Sequence, residues 1–216
     1  MNRASVGLST LLRFAFFLSL PLMGIWYFFA SNVYVWFGTV SEVISLGEDY
    51  VQTLTWMLPF VFLKLVFVTA LNAAGDTKTH MKIKIASILL NVFLNYLFIF
   101  GHHGFPELGV MVAAVGTVLV TLLELIVYMY LYLKNKTPYV PAWHYSKSLL
   151  KRALKVGIPV SFERTLTFGS FMLFTVIIAD YGTEVLAGYQ IGLRVEGLTF
   201  MPGIGFTIAA MALMGQ

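Results

Sequence analysis

The sequence predicts an all-α integral membrane fold, a polytopic bundle of about six transmembrane helices, and three observations predict it. Of its 216 residues, 59% are hydrophobic and only 11% are charged, with a mean hydropathy of +0.83. Six apolar runs are long enough to cross a bilayer, and the basic residues fall in alternate gaps between them. A soluble domain is about half apolar and about a quarter charged, and it cannot hide this much apolar surface from water. Lipid is the solvent that fits.

Crossing a bilayer core takes about 20 apolar residues at about 1.5 Å each. The runs are 12–37, 51–71, 83–101, 109–133, 157–179 and 186–213. The first follows Arg3 and Arg13 but is too long for a signal peptide, and no small-residue cleavage site ends it. Its aromatic groups Trp26–Tyr27 and Tyr34–Trp36 suit the headgroup level, as do Tyr128–Tyr132 at the end of the fourth. Pro21, Pro59, Pro159 and Pro202 lie inside runs, where each removes a backbone hydrogen bond and favours a kink. Gly188 and Gly192 form a small-xxx-small pair in the last run. Leu, Phe and Val also suit strands, but runs of this length without hairpin turns read as helices.

Eleven of the fourteen Lys and Arg residues occupy alternate gaps: Arg3 and Arg13; Lys78, Lys82 and Lys84; then Lys134, Lys136, Lys147, Lys151, Arg152 and Lys155. The intervening gaps carry Glu42, Glu48, Asp49, Glu107, Asp180 and Glu184 instead. This is the positive-inside pattern, and it places the N-terminus in the cytoplasm. The expected location is the plasma membrane, multi-pass. The net charge of +4 is therefore a topology signal, and nucleic acid is not an expected partner. Residues 134–156 read as a cytoplasmic linker, with four helices in 1–133 and two in 157–216. Asn135-Lys136-Thr137 fits a glycosylation sequon, but the charge rule puts it on the wrong side.

Ionisable groups inside a span are costly unless paired or facing water, which makes them functional candidates. They are Lys64, Glu124, Glu163, Arg164, Arg194 and Glu196. Asn91 and Asn95 add two amides one helical turn apart on one face, and their carbonyls suit a hard cation such as Na⁺. The same amides also suit hydrogen bonds to neighbouring helices. Glu124, near the middle of its span, must face the bundle interior. Arg164 lies close enough to its helix start to snorkel, while Glu163 divides evenly between structural and functional roles. Lys64 reads as an interface or packing lysine.

Enzyme chemistry finds little support. No Gly-x-x-x-x-Gly-Lys-Ser/Thr phosphate loop, HExxH motif or nucleophile elbow occurs. His102 and His103 are adjacent with no third ligand, which argues against zinc, and there are no cysteines. No cofactor is expected.

Several ordered blocks resemble the multidrug and toxic compound extrusion (MATE) family. They are Ala74-Gly75-Asp76-Thr77-Lys78-Thr79-His80-Met81, Asn91-Val92-Phe93-Leu94-Asn95, Phe105-Pro106-Glu107-Leu108-Gly109-Val110 and Ala113-Ala114-Val115-Gly116-Thr117. Gly157-Ile158-Pro159, Ala187-Gly188-Tyr189-Gln190-Ile191 and Phe200-Met201-Pro202-Gly203-Ile204-Gly205-Phe206 follow. The resemblance covers about residues 55–216. It implies a twelve-helix, two-lobe transporter exporting cationic or amphipathic drugs and metabolites in exchange for Na⁺ or H⁺ by alternating access. Against that template the chain looks like helices three to eight, and the missing helices would be its partners, with the lipid bilayer and small organic cations. No transport is expected from these 216 residues alone.

The resemblance also implies roles. Asn91, Asn95 and Thr117 would bind the cation, with Glu124 and Glu163 coupling substrate or protons. Where members often carry Asn-x-x-x-Asp, this chain has an amide at Asn95, which loses charge. The position eight after Pro159, often acidic in the family, is Thr167 here. Two alternatives stand beside the antiporter. One is a lipid-linked oligosaccharide flippase of the same superfamily, which inward-pointing Lys64, Arg164 and Arg194 would favour. The other is a truncated, non-transporting membrane module.

Overall fold

The computed structural model describes residues 3–36, 41–99 and 110–214, and these are helical apart from short connections. The helices are α1 (Arg3–Trp36), α2 (Ser41–Thr55), α3 (Leu58–Ala73), α4 (Thr77–Ile99), α5 (Val110–Leu133), α6 (Lys147–Ala179) and α7 (Thr183–Met214). His102 and His103 and the block Phe105–Gly109 lie outside the described residues, as does the end of the third apolar run. The chain divides into two compact units, Met1–Ser146 and Lys147–Gln216.

Among the described residues the six predicted runs become seven helices, because the second is broken. The helix there begins at Ser41 and stops at Thr55, and α3 starts at Leu58 with Pro59 in its first turn. Proline has no amide hydrogen and its ring clashes with the preceding turn, so the first turn of a helix is where it costs least; Pro21, Pro159 and Pro202 instead lie inside α1, α6 and α7. α1, α5, α6 and α7 are long and apolar enough to span a membrane, and α3 is a shorter apolar helix. The first turns of α4 carry Lys78, Lys82 and Lys84.

In the first unit, α1 packs against α2 and α3, and α5 packs against α2, α3 and α4. Its core joins Leu8 of α1, Phe67 and Leu71 of α3, and Leu125, Tyr128 and Tyr132 of α5. The Phe67 ring stacks on Tyr128 at 6.1 Å and meets Tyr132 edge-on at 5.6 Å. α1 buries small residues (Ser5, Ser9, Thr10, Ala15, Ser19) that let neighbouring backbones come close. Its opposite face shows Phe17 and Phe28, both mostly exposed, as a lipid-facing surface requires.

The Ala74-Gly75-Asp76 block is a helix stop followed at once by a start. The Asp76 and Gly75 amides return to the Leu71 and Asn72 carbonyls, each at 3.0 Å, and Gly75 has φ +80°. That left-handed position admits glycine most readily. Asp76 Oδ1 then accepts from the Thr79 amide at 3.2 Å and caps α4. α3 and α4 are thereby held antiparallel.

Residues 134–146 are not a free linker. They form a strap bound across the N-terminal end of α1. The Val140 and Ser146 amides donate to Ser5 Oγ and Thr10 Oγ1, both at 3.1 Å. Ser9 Oγ donates to the His144 carbonyl at 2.9 Å, and Arg13 Nη2 to the Trp143 carbonyl at 2.7 Å. Tyr139 reaches the Ala70 carbonyl at 2.8 Å, and burial raises the pKa of its hydroxyl above the ordinary value. The rest of the expected linker, 147–156, is the start of α6, so Lys147, Lys151, Arg152 and Lys155 are helical.

The second unit is a hairpin of α6 on α7, turned at Gly182 (φ +102°) and joined by Phe174 against Tyr189. No described residue of α6 is buried within it. A hairpin this apolar and this exposed needs lipid or further helices around it.

Candidate functional site

The antiparallel pair α4 and α5 carries a polar seam. On α4 the residues His80, Lys84, Ser87, Asn91 and Asn95 recur every three or four positions, so they share one face. On α5 the facing stripe is Gly116, Thr117, Thr121, Glu124 and Tyr128. The two stripes meet in register. His80 Nδ1 lies 2.8 Å from the Tyr128 hydroxyl, Lys84 Nζ lies 3.4 Å from Glu124 Oε1, and Gly116 sits against Asn95. Fifteen residues separate His80 from Asn95, so the seam runs for about 22 Å along the helices.

At its centre is Glu124, only 3% exposed, whose Oε2 pairs with Lys64 Nζ of α3 at 2.5 Å. A carboxylate stripped of water in this way must be neutralised, and both of its oxygens are met by ammonium groups. Lys64, expected as an interface or packing lysine, is thus the ion-pair partner of Glu124 in this seam. Lys64, Lys84, Ser87, Asn91, Thr117, Thr121 and Glu124, with Ile88 and Val120, line a cavity of about 170 Å³.

Beyond the cavity, Asn95 Nδ2 donates to Asn91 Oδ1 at 3.2 Å. This occupies the Asn91 carbonyl and leaves Asn95 Oδ1 buried with no hydrogen-bond partner. A Cβ at position 116 would stand 3.0 Å from that oxygen, so glycine is what lets α5 approach it. Asn91, Asn95, Thr117 and Glu124, expected from sequence, thus fall along one seam.

Glu163 belongs to the second unit, exposed on α6, where its main-chain carbonyl accepts from Thr167 Oγ1 at 3.0 Å. A separate cavity there, about 530 Å³, brings Thr167 of α6 together with Glu196 of α7. Glu196 is thus the acid beside the Thr167 position. Of the three internal basic residues, Lys64 lines the seam cavity, while Arg164 and Arg194 are exposed in the second unit.

Comparison with known proteins agrees with this architecture. The MatE family model matches residues 1–97 and 159–216, in both units. The probable multidrug resistance protein NorM of Thermotoga maritima is 34% identical over 182 residues, covering 82% of this chain and 38% of that protein. The probable multidrug resistance protein YoeA of Bacillus subtilis is 29% identical over 224 residues, covering 100% of this chain and 48% of that protein. The chain therefore spans about half, or less, of the length of the curated relatives it matches.

Two solved structures share the fold. One, a MOP superfamily transporter from Pyrococcus furiosus described as having a binding pocket of reverse polarity, aligns with a TM-score of 0.79 at 21% identity, covering 98% of this chain and 52% of its own. The other, an outward-facing multidrug resistance MATE family transporter of the MOP superfamily, aligns at 0.74 and 22% identity, covering 95% and 50%. A family match running from α1 into α4, and again from α6 to the end of α7, fixes the assignment: the chain belongs to the multidrug and toxic compound extrusion (MATE) family.

Proposed function

We propose that the chain serves secondary active antiport, exporting cationic or amphipathic compounds in exchange for Na⁺ or H⁺ by alternating access at the plasma membrane. The α4–α5 seam is its cation site, with Asn91, Asn95 and Thr117 as neutral oxygen ligands and Glu124 as the charged one. Glu163 is a separate protonatable contact in the second unit, and the basic strap faces the cytoplasm.

One observation carries this reading. Asn95 Oδ1 is a buried acceptor without a partner, beside a second amide and above a buried carboxylate in the same seam. An orphaned buried oxygen costs about 1–3 kcal/mol, a cost that a ligand supplying positive charge would offset. Hard monovalent cations prefer such oxygen sets. The names of the bacterial relatives, probable multidrug resistance proteins, support the same cargo class.

The flippase reading draws support from Lys64, which lines the cavity. Its ammonium is paired with Glu124, however, and the one positive charge left over is that of Lys84, which is half-exposed. The test is efflux from proteoliposomes holding the intact protein. Asn91→Leu and Asn95→Leu are expected to abolish ion-stimulated export while the protein still inserts. Unchanged export in both variants would make these amides structural and end the proposal.

A further inference from the structure

Lys64 comes to the seam from outside it, on α3, and it takes the carboxylate that a cation site would offer. We propose that Lys64 is a tethered competitor for that site: an ammonium built into the protein that holds Glu124 until a free monovalent cation displaces it. This rests on the cation-site reading of the seam and adds a residue that sets which cations enter, and at what concentration.

The ligand chemistry is shared. An ammonium and a hard monovalent cation both want oxygen acceptors around a single positive charge. The cavity offers one carboxylate, from Glu124, together with the oxygens of Ser87, Asn91, Thr117 and Thr121. Lys64 has settled on the charged member of that set at 2.5 Å.

Charge counting favours exchange over simple addition. Lys64, Lys84 and Glu124 leave the cavity one positive charge in excess. A further cation would raise that excess beside a carboxylate only 3% exposed, where like charges repel more strongly than in water. If Lys64 withdraws as the cation arrives, the charge stays constant. Lysine suits the part, because its ammonium rides on a flexible four-carbon stem. Lys84 is the looser partner, 50% exposed against 19% for Lys64, so Lys64 is the one that must be displaced.

Tethering also sets a threshold. A group on a short flexible link has an effective concentration on the order of millimolar or more, so free cations compete only at comparable levels. Traces of cation would leave the pair intact, and a steep gradient would open it.

The test measures binding rather than transport. Thermal unfolding of the detergent-solubilised intact protein is followed against Na⁺ at constant ionic strength, with N-methylglucamine as the balancing cation. Wild type and Lys64→Arg should be stabilised only at high Na⁺. Lys64→Gln should move the Na⁺ midpoint down by about tenfold or more, as removal of a tethered competitor requires. Lys64→Gln with Glu124→Gln should lose that gain.

Equal midpoints in wild type and Lys64→Gln would overturn the proposal, and so would a gain that survives loss of the carboxylate. If Lys64→Gln unfolds without Na⁺, recovery in Na⁺ supports the proposal. So does recovery of Lys64→Ala by propylammonium, which refills the vacated position, and failure of both refutes it. Unchanged efflux in Asn91→Leu and Asn95→Leu would instead strike the transport reading, independently of the Lys64 midpoints.

Discussion

Gly116→Ala tests how closely α5 is closed onto the Asn91–Asn95 pair. The new Cβ would stand 3.0 Å from Asn95 Oδ1 and 4.0 Å from Leu94 Cβ. The first distance is too short, so the carboxamide must retreat by a few tenths of an ångström. It is not free to do so, because its Nδ2 is engaged with Asn91 Oδ1 at 3.2 Å. Alanine in a helix interior gains about 1 kcal/mol over glycine. Overpacking costs about 1–3 kcal/mol and a weakened hydrogen bond about 0.5–1.5 kcal/mol. The balance is a net loss of about 0.5–3.5 kcal/mol. With Asn95→Ala the obstacle is gone, and Gly116→Ala should then gain about 1 kcal/mol, a coupling of about 1.5–4.5 kcal/mol across the double-mutant cycle. Reversible unfolding in mixed micelles reads both values. Gly188→Ala, whose Cβ would meet nothing within 4 Å, reports the propensity gain alone. If Gly116→Ala has the same effect with and without Asn95, the helices are not in the contact described.

Two further outcomes follow from the strap and the charge pattern. Ser5→Ala with Thr10→Val removes the acceptors of the Val140 and Ser146 amides, so hydrogen exchange at both should quicken by about tenfold, or about 1.4 kcal/mol; unchanged protection would mean the strap is held by packing alone. The chain has no cysteines, so single cysteines at Lys78, Lys151 and Glu184 can be labelled cleanly. An impermeant maleimide should reach the first two from one side and the third from the other, and labelling of Lys78 and Lys151 from opposite sides would dismantle the bundle.

Most of the fold was legible because lipid enforces it. Runs of apolar residues at bilayer length leave helices as the one way to satisfy the backbone, and among the described residues four of the resulting helices are long and apolar enough to cross a membrane. Length and polarity do not locate helix breaks. Pro59 was visible as a kink, but whether proline bends a helix or starts a new one depends on the turn before it, and here Trp56 and Met57 leave the helix. The strap was hidden for another reason. Pro138, Pro141 and the flanking lysines are typical of a solvated linker, whereas its anchors, Ser5, Ser9, Thr10 and Arg13, lie more than 120 residues earlier. Local composition carries no information about such distant partners.

The seam was half legible. Asn91 and Asn95 declare a shared face by spacing alone, and so do Thr117, Thr121 and Glu124. That these faces meet each other, with Lys64 of α3 beside them and not lipid, is a matter of how the helices pack, which no periodicity encodes. Lys64 is the instructive miss. Taken singly, a lysine in a span suggests packing or snorkelling, and a glutamate suggests a buried site. Taken together, they are the opposite charges deep within the first four apolar runs, and each is too costly to leave alone in lipid. The cost of leaving either charge unpaired favours their meeting, as the structure shows. Because breaking such a pair leaves one charge stranded, whatever enters the seam must bring a charge of its own or leave Lys64 in place.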